Sequence, residues 1–182
     1  MSKLKIIAIV GMAGSGKTEA VKYLTNNDWA KVYFGGVIYD EMNRRGIEIT
    51  PESQTKFREE IREKEGKDFV VRRAIENIQN LVSAGQKQIV LDGVYSWTEY
   101  KLLKRTFESD LTTIAVIAPR ALRYKRLANR PERPFNTEEA TKRDWTEIEN
   151  LEKGGPITIA DYYVENDGTL EELHAQIAKI VL

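Results

Sequence analysis

The chain has 182 residues, of which 41% are hydrophobic and 31% are charged, a balance typical of a folded domain rather than of a disordered chain. Its 28 lysines and arginines equal its 28 aspartates and glutamates, so the net charge offers no general attraction to DNA or to an anionic membrane. The absence of cysteine excludes a disulfide framework and a thiolate metal site. No apolar run approaches the ~20 residues that span a bilayer, so we expect a cytoplasmic protein with no membrane partner.

The first predicted element is a strand at residues 6–10, an uninterrupted apolar run that ends at a glycine. It is followed at positions 11–18 by Gly-Met-Ala-Gly-Ser-Gly-Lys-Thr, which fits the pattern G-x-x-x-x-G-K-[ST]. Glycines in such a loop let successive backbone N–H groups converge on phosphate oxygens, and the next helix adds the positive end of its dipole. An incidental glycine-rich turn is the alternative, but the strand before it and the helix after it favour a nucleoside triphosphate site.

This loop supplies the predicted contacts to ATP and Mg²⁺. Lys17 is expected to act in catalysis by placing its ammonium on the outer phosphates, and the Thr18 hydroxyl is expected to ligate the metal. The residues predicted to bind the nucleotide here are Gly11, Ala13, Gly14, Ser15, Gly16, Lys17 and Thr18.

Downstream of the loop, strand and helix patterns alternate, which predicts an open and mainly parallel α/β sheet. The further predicted strands are residues 29–34, 88–93, 111–118 and 162–164. The predicted helices are residues 18–24, 37–45, 50–65, 68–82, 98–107, 120–130 and 136–152, and a last helix capped by Thr169 and Glu172. Residues 154–156, Gly-Gly-Pro, are predicted to form a loop. The expected fold is a three-layer P-loop NTPase with a five-stranded sheet.

Two stretches interrupt the alternation of strands and helices: an all-helical block and a basic segment broken by prolines. We therefore predict a single P-loop domain over residues 1–182, with two insertions in its core. The core comprises about 1–36, 83–122 and 145–182, the helical insertion that binds a second substrate comprises about 37–82, and a short lid comprises about 123–144.

Asp92 ends an apolar strand, which is the position of a Walker-B carboxylate. From there it could hold a metal-bound water, so we predict it as a second metal ligand, or assist deprotonation of an acceptor oxygen. The alternative is an aspartate that only forms a turn with Gly93.

Arginines recur along the predicted helix at 120–130, where Arg123, Arg126 and Arg130 share one face. Arg143 lies beyond the proline break and could approach from the facing helix. Phosphoryl transfer relies on positioning and positive charge, and the planar fork of arginine binds phosphate oxygens in pairs. No matching glutamates run along this face, which favours a catalytic role for Arg126, Arg130 and Arg143 over a merely solvated surface.

The helical insertion carries arginines that could hold an acceptor, and aromatic residues cluster in sequence around the presumed acceptor cleft. Its arginines could grip a phosphate, although neighbouring glutamates offer helix ion pairs as the alternative. The aromatic residues could stack on a base, although a place in the core would explain them equally well. The predicted acceptor contacts, including two glycines, are Gly35, Tyr39, Arg62, Arg73, Gly93 and Tyr95.

Together these residues resemble the nucleoside monophosphate kinase superfamily, which includes adenylate kinase, over nearly the whole chain. The P-loop is the most specific feature. The other matching features are the turn at 34–38, the pair Asp92-Gly93, the spacing of Arg126 and Arg130, and Arg143. Residues 46–65, 142–144 and 160–166 are similar to an archaeal-type branch of adenylate-kinase-related or dephospho-CoA-kinase-like proteins.

The resemblance implies an ATP- and Mg²⁺-dependent kinase that moves the γ-phosphoryl group to a small nucleotide. It also implies that the loop at 166–168 packs near the adenine of ATP, which adds Asn166 and Gly168 to the predicted nucleotide contacts. Arg126 is implied to contact the nucleotide as well as to act in catalysis.

The acceptor half of the chain departs from the branch. Gly36 and Tyr39 stand where the branch tends to carry Asp and Arg, and Tyr95 stands where an Arg is usual. Gly154 replaces a further lid arginine of adenylate kinases, with Lys153 as the nearest cation. The donor half therefore matches the family, whereas the acceptor need not be AMP.

Two alternatives to a nucleoside monophosphate kinase stay open. In a dephospho-CoA kinase the acceptor is a sugar hydroxyl, and Asp92 would serve as its base. In an NTP-binding switch, slow hydrolysis would be coupled to a protein or RNA partner. We expect a monomer or weak dimer.

Overall fold

The computed structural model describes residues 3–94 and 96–181, and its centre is one sheet of five parallel strands. The strands are β1 (Lys5–Val10), β2 (Ala30–Tyr33), β3 (Gln88–Asp92), β4 (Leu111–Ile117) and β5 (Tyr162–Glu165). Their order in the sheet is β2-β3-β1-β4-β5, and each neighbouring pair is parallel. The predicted α/β fold with a five-stranded sheet is confirmed.

Helices connect the strands and cover both faces of the sheet. They are α1 (Lys17–Thr25), α2 (Phe34–Arg44), α3 (Pro51–Glu65), α4 (Phe69–Ser83), α5 (Trp97–Phe107), α6 (Arg120–Ala128), α7 (Thr137–Glu149), α8 (Gly154–Thr158) and α9 (Leu170–Val181). A 3₁₀ turn at Glu108–Asp110 leads into β4. None of the described helices is long and apolar enough to cross a membrane.

The predicted caps are present at three helix starts. The Thr50 hydroxyl accepts from the Ser53 N–H at the start of α3. Asn136 and Glu139 form a reciprocal capping box before α7, and Thr169 and Glu172 make the same exchange before α9. These contacts satisfy N–H groups that the first turn of a helix leaves without a partner.

The central strand β1 is buried on both faces, because helices lie on each side of it. Ile6 and Ala8 face one core, to which α2, α3, α4 and α5 contribute. Ile7 and Ile9 face the other, which α1 and α9 cover. Successive side chains of a strand point to opposite faces, so the apolar run of β1 serves both cores of a three-layer fold.

Two boundaries predicted from the sequence are wrong. The strand predicted at 29–34 ends at Tyr33, and α2 begins at the buried Phe34. The Tyr33 ring lies against the first turn of α2, where a Cβ on Gly35 would lie 2.4 Å from the ring. The glycines at this point therefore allow the helix to begin under the ring, where a turn was expected.

The second wrong boundary is the loop predicted at 154–156, which instead forms the first residues of α8. Gly155 packs under Trp97, where an added Cβ would lie 2.7 Å from the indole. Pro156 is tolerated because the N–H groups of a first helical turn have no partner within the helix. Packing against Trp97, which is distant in sequence, thus accompanies a helix where the local sequence Gly-Gly-Pro predicts a loop.

The carboxyl ends of the strands meet at one edge of the sheet. The glycine-rich loop follows β1, Asp92 ends β3, and Tyr33, at the end of β2, is paired in register with Asp92. On the other side β4 ends at Ile117, and β5 leads into Asn166, whose N–H donates to the Ile117 carbonyl. This edge is where ligands bind in open parallel sheets.

Candidate active site

The loop after β1 requires glycine at positions 11, 14 and 16, each of which has a positive φ and lies against another element. Gly14 has a φ of 78°, and an added Cβ would lie 2.7 Å from the Arg123 carbonyl oxygen in α6. Gly16 has a φ of 103°, and its Cβ would lie 1.9 Å from Nδ2 of Asn166. The loop is therefore wedged between α6 and the segment after β5.

A cavity of about 460 Å³ lies over this loop. Its lining residues are Gly14, Gly16, Lys17, Thr18, Glu19, Arg126 and Arg130. Within the described part of the chain, the Ser15 hydroxyl and Nη1 of Arg126 are buried without a hydrogen-bond partner. Buried polar groups are rarely left unpaired, so this loop and Arg126 fit a ligand with several acceptor oxygens, such as a triphosphate.

Lys17 has an unusual environment for a lysine. Burial, with a further contribution from the charge of Lys153, lowers its pKa from the ordinary 10.5 to about 7, while Glu147 and Asp92 oppose the shift. Its Nζ donates to the Met12 carbonyl at 2.8 Å. A phosphate beside Lys17 would favour the charged ammonium and so would raise this pKa.

The metal ligands predicted from the sequence are Thr18, which lines the loop cavity, and Asp92 at the end of β3. Burial raises the pKa of Asp92, although the charges of Lys31 and Lys17 oppose that change. Residues 3–94 and 96–181 contain no group of three or more His, Asp or Glu side chains that could hold a metal by themselves. A hydroxyl and one carboxylate fit Mg²⁺ bound jointly with substrate phosphates.

Arg123 does not face the loop cavity. Its Nη1 and Nη2 donate to the two carboxylate oxygens of Asp144 at 2.8 and 2.6 Å, and Nη1 also donates to the Ala13 carbonyl at 2.9 Å. The predicted face of three phosphate-facing guanidinium groups is therefore wrong for Arg123. That side chain ties α6, α7 and the loop together, and it leaves Arg126 and Arg130 at the cavity.

A second cavity, of about 310 Å³, opens between α2, α3, α7 and the end of β3. Four cationic side chains line it, together with apolar residues and Glu99; the cations are Arg58, Arg62, Lys67 and Arg143. Among the predicted acceptor contacts, Gly35, Arg62 and Gly93 belong to this lining. Arg58 is one of the insertion arginines that could grip a phosphate, but it was not chosen, because helix ion pairs explain cations of α3 equally well in sequence. Lys67, between α3 and α4, was not predicted to line this cavity.

Two predicted acceptor residues do not line this cavity, and a third lies outside the described residues. The Tyr39 hydroxyl donates to Oε1 of Gln54 at 3.3 Å, which ties α2 to α3. Arg73 donates to Glu76 at 2.9 Å and lies over the Phe69 ring, so a neighbour in its own helix holds it. Tyr95 is the residue outside the described part of the chain.

Arg143 lines the second cavity, whereas Arg126 and Arg130 line the first. Its Nε donates to Oε1 of Glu147 at 3.0 Å, and Oε2 of the same carboxylate accepts from the Ala13 N–H at 3.0 Å. Lys153 completes the arrangement with its Nζ 2.6 Å from Oε1 of Glu147. Sequence reasoning missed Glu147, although its position four residues after Arg143 was a visible signal for a pair.

The segment after β5 reaches the loop through Asn166. This buried side chain donates to the Ser15 carbonyl at 2.8 Å and accepts from Nη2 of Arg126 at 3.4 Å. Beside it, a cavity of about 330 Å³ is lined by Ile117, Ala118, Pro119, Glu165 and Asp167. Gly168 lies instead at the cap of α9, where an added Cβ would lie 1.9 Å from Oε2 of Glu172.

Comparisons with known proteins agree with this geometry. Residues 7–152 match the family AAA_18, described as an AAA domain. The chain is 33% identical over 179 residues to a UPF0200 protein of Thermococcus kodakarensis, in an alignment that covers 97% of this chain and 96% of that protein. The chain belongs to the AAA_18 and UPF0200 families.

Solved structures of other proteins have a fold similar to that of this chain. Shikimate kinase from Bacteroides thetaiotaomicron superposes with a TM-score of 0.61 at 13% identity, over 97% of this chain and 98% of that one. Dephospho-CoA kinase from Campylobacter jejuni gives a TM-score of 0.57 at 13% identity, over 99% and 97% of the two chains. The predicted similarity to P-loop kinases is confirmed at the level of the fold.

Proposed function

We propose that this protein is an ATP- and Mg²⁺-dependent phosphotransferase of nucleoside-monophosphate-kinase type, which moves the γ-phosphoryl group of ATP to a small nucleotide. The observation that carries the proposal is a pair of cationic cavities, one over the glycine-rich loop and one linked to that loop through the Glu147 carboxylate. Arg143 belongs to the acceptor-side cavity, yet it contacts the loop through Glu147 and the Ala13 N–H. A kinase needs two anion sites of this kind, one for each substrate.

On the donor side, the triphosphate of ATP would lie over the glycine-rich loop, with Lys17, Arg126 and Arg130 around it. The partnerless Nη1 of Arg126 and the Ser15 hydroxyl would gain phosphate acceptors there. The adenine would lie near Asn166, in the cavity at the ends of β4 and β5. Mg²⁺ held by Thr18, Asp92 and phosphate oxygens would neutralise charge that develops during transfer.

On the acceptor side, the phosphate of a small nucleotide would be gripped by cations of the second cavity, chiefly Arg58, Arg62 and Arg143. Gly35 and Gly93 line the same cavity, and Gly93 would let the acceptor approach the backbone closely. In this proposal residues 37–82 act as the acceptor-binding insertion and residues 123–144 act as the lid, within one domain.

A panel assay tests the proposal. Wild-type protein is incubated with Mg-ATP and, in turn, nucleoside monophosphates, deoxynucleotides, dephospho-CoA and shikimate, and both ADP and the phosphorylated acceptor are measured. We expect stoichiometric ADP and product with at least one nucleoside monophosphate, and no product from the Lys17→Ala variant prepared in parallel. Hydrolysis of ATP that no acceptor in the panel stimulates would instead favour an NTP-binding switch.

Dephospho-CoA kinase is the second candidate, and the environment of Asp92 favours it. Burial raises the pKa of this carboxyl, as suits a base that accepts a hydroxyl proton, and the fold is shared with a dephospho-CoA kinase. The two functions differ in what they need from the chain. If the acceptor group is a hydroxyl, Asp92→Asn should lower turnover far more than Arg62→Ala does. If the acceptor group is a phosphate, Arg62→Ala should lower turnover strongly as well.

A further inference from the structure

Glu147 in α7 is a buried carboxylate that contacts the glycine-rich loop. Its side chain is only 1% exposed, and each of its oxygens is engaged. Oε2 accepts from the Ala13 N–H at 3.0 Å. Oε1 accepts from Nε of Arg143 at 3.0 Å and lies 2.6 Å from Nζ of Lys153.

The three groups around this carboxylate are of the types that proteins use to bind phosphate: a loop backbone N–H, a guanidinium and an ammonium. Burial alone would raise the pKa of Glu147, but the charge of Lys153 and its hydrogen bond hold that pKa below the ordinary value. The carboxylate is therefore ionised at neutral pH. The Glu147 carboxylate thus occupies a group of donors, at the edge of the glycine-rich loop, that is suited to bind an anion.

A bound phosphate must compete with Glu147, because the Ala13 N–H can donate only a limited number of hydrogen bonds. One backbone N–H makes one strong hydrogen bond, so a phosphate oxygen that binds the Ala13 N–H must take it from Glu147. The negative charges of the carboxylate and the phosphate also repel each other in this buried environment. Since Glu147 belongs to α7, release of the Ala13 N–H also breaks a link between α7 and the loop.

We propose that Glu147 is a positioning residue that competes with the nucleotide phosphates for the Ala13 N–H and thereby couples nucleotide binding to the position of α7 and Arg143. This inference rests on the proposed function, because it takes the glycine-rich loop to be the ATP site. Bound nucleotide breaks the Glu147 contact between α7 and the loop, while Arg123 still joins Asp144 of α7 to the Ala13 carbonyl. Arg143, the partner of Glu147, then shifts with this part of α7 at the acceptor cavity. Lys153, whose backbone N–H donates to the Glu147 carbonyl at 3.0 Å, keeps the end of α7 connected to α8.

Binding of a non-hydrolysable ATP analogue with Mg²⁺, measured by calorimetry, tests the competition. We expect Glu147→Gln to bind the analogue about tenfold more tightly than wild type, because an internal competitor lowers apparent affinity by the fraction of sites that it blocks. Glu149→Gln is the matched control, since it removes the same charge from the exposed end of the same helix. Loss of a merely structural contact would weaken binding, so the direction of the change distinguishes the two roles.

The single substitution takes the Glu147 charge away from the buried Lys153 ammonium, and removal of one member of a buried ion pair destabilises a protein. The double variant Glu147→Gln with Lys153→Met removes both charges and is measured alongside, with circular dichroism as the check on folding. Wild-type affinity, or weaker binding, in the folded variants would overturn the inference while the proposed function stands. Failure of the wild-type protein to bind the analogue would overturn both.

Trp145 provides a second measurement that needs no change at Glu147. It lies two residues before Glu147 on α7 and is 63% exposed, so its fluorescence reports on the surroundings of this helix. We expect the analogue to shift the emission of wild-type protein, and the Trp145→Phe variant to lose that shift. Emission that stays unchanged at saturating analogue would overturn the coupling between the nucleotide and α7.

Discussion

Arg123 and Asp144 form a buried two-point ion pair, with both hydrogen bonds at 2.8 Å or less. The pair joins α6 to α7, and Arg123 continues to the Ala13 carbonyl in the glycine-rich loop. The hydrogen bonds to Asp144 raise the pKa of Arg123 above its already high ordinary value. The two helices that contain the ends of the predicted lid are thus joined to the loop that would hold the phosphates.

Removal of one member of this pair should destabilise the fold. We expect Asp144→Ala to lower the free energy of unfolding by about 3–5 kcal/mol, because the guanidinium of Arg123 is left buried without its counter-charge. Urea denaturation at neutral pH measures the change. Glu149→Ala, an exposed acid on the same helix, should change stability little, and Arg123→Met with Asp144→Leu should lose less than Asp144→Ala alone. Equal losses in the single and double variants would contradict the ion-pair explanation.

A comparison of Gly16 with Gly46 separates two reasons why a position requires glycine: a positive φ and a lack of space for a Cβ. Both have positive φ, but a Cβ on Gly16 would lie 1.9 Å from Asn166, whereas a Cβ on Gly46 meets nothing within 4 Å. Gly46→Ala should therefore cost only the ~1–2 kcal/mol of a left-handed backbone. Gly16→Ala should cost more, and it should also weaken ATP binding, because the loop must move away from Asn166. Thermal unfolding and nucleotide titration measure both effects.

A double variant checks whether Asn166 is the source of the clash expected in Gly16→Ala. Asn166→Ala in the Gly16→Ala background removes the amide that the new methyl group meets, so it should restore part of the lost stability. The φ of 103° remains, and recovery should therefore stay incomplete. No recovery at all would mean that the backbone strain alone accounts for the loss.

The local parts of this fold could be predicted from the sequence. The buried β1, the glycine-rich loop and α1 form one contiguous signal, and the cap at Asn136 depends on residues three positions apart. Arg126 and Arg130 both line the loop cavity, although α6 ends at Ala128 and Arg130 lies just beyond the helix. Each of these features is determined by neighbours within a turn or two of the chain.

The features that could not be predicted depend on distant contacts. Arg123 shares the helical spacing of Arg126, but Asp144, 21 positions later, turns it into a buried structural group. Arg62 and Arg73 look alike in sequence, and packing between helices places Arg62 at the acceptor cavity. Arg73 is the exception, because a local contact with Glu76, three residues later, holds it. The role of Glu147 depends on its contact with the Ala13 N–H, which lies 134 positions away in the sequence.

The pKa of Lys17 predicts a pH dependence of stability. Burial lowers this pKa to about 7 from an ordinary 10.5, so between these values the unfolded chain holds a proton that the folded protein does not. From this group alone, the free energy of unfolding rises as the pH rises from 7 toward 10.5. Lys17→Met removes the buried ammonium and should be more stable than wild type near pH 6, with the difference shrinking by pH 9.

The same variant separates stability from activity. Lys17→Met should lose turnover by at least ~10²-fold, the usual cost of removing a group that stabilises charge in the transition state. Lys22→Met, which removes an exposed lysine paired with Glu19 on the same helix, should keep both the activity and the pH profile of the wild type. A folded Lys17→Met protein with wild-type turnover would contradict the role assigned to Lys17.

Arg62 and Arg73 give the sharpest test of the acceptor cavity. Arg62 lines the cavity, whereas Arg73 is paired with Glu76 and stacked over Phe69. If Arg62 binds the acceptor phosphate, its loss removes a charge-assisted hydrogen bond worth about 1.5–3 kcal/mol. We therefore expect Arg62→Ala to raise the KM for the nucleotide acceptor at least tenfold and to leave the KM for ATP unchanged. Arg73→Ala should change neither KM, and equal effects of the two substitutions on acceptor KM would show that the cavity is not where the acceptor binds.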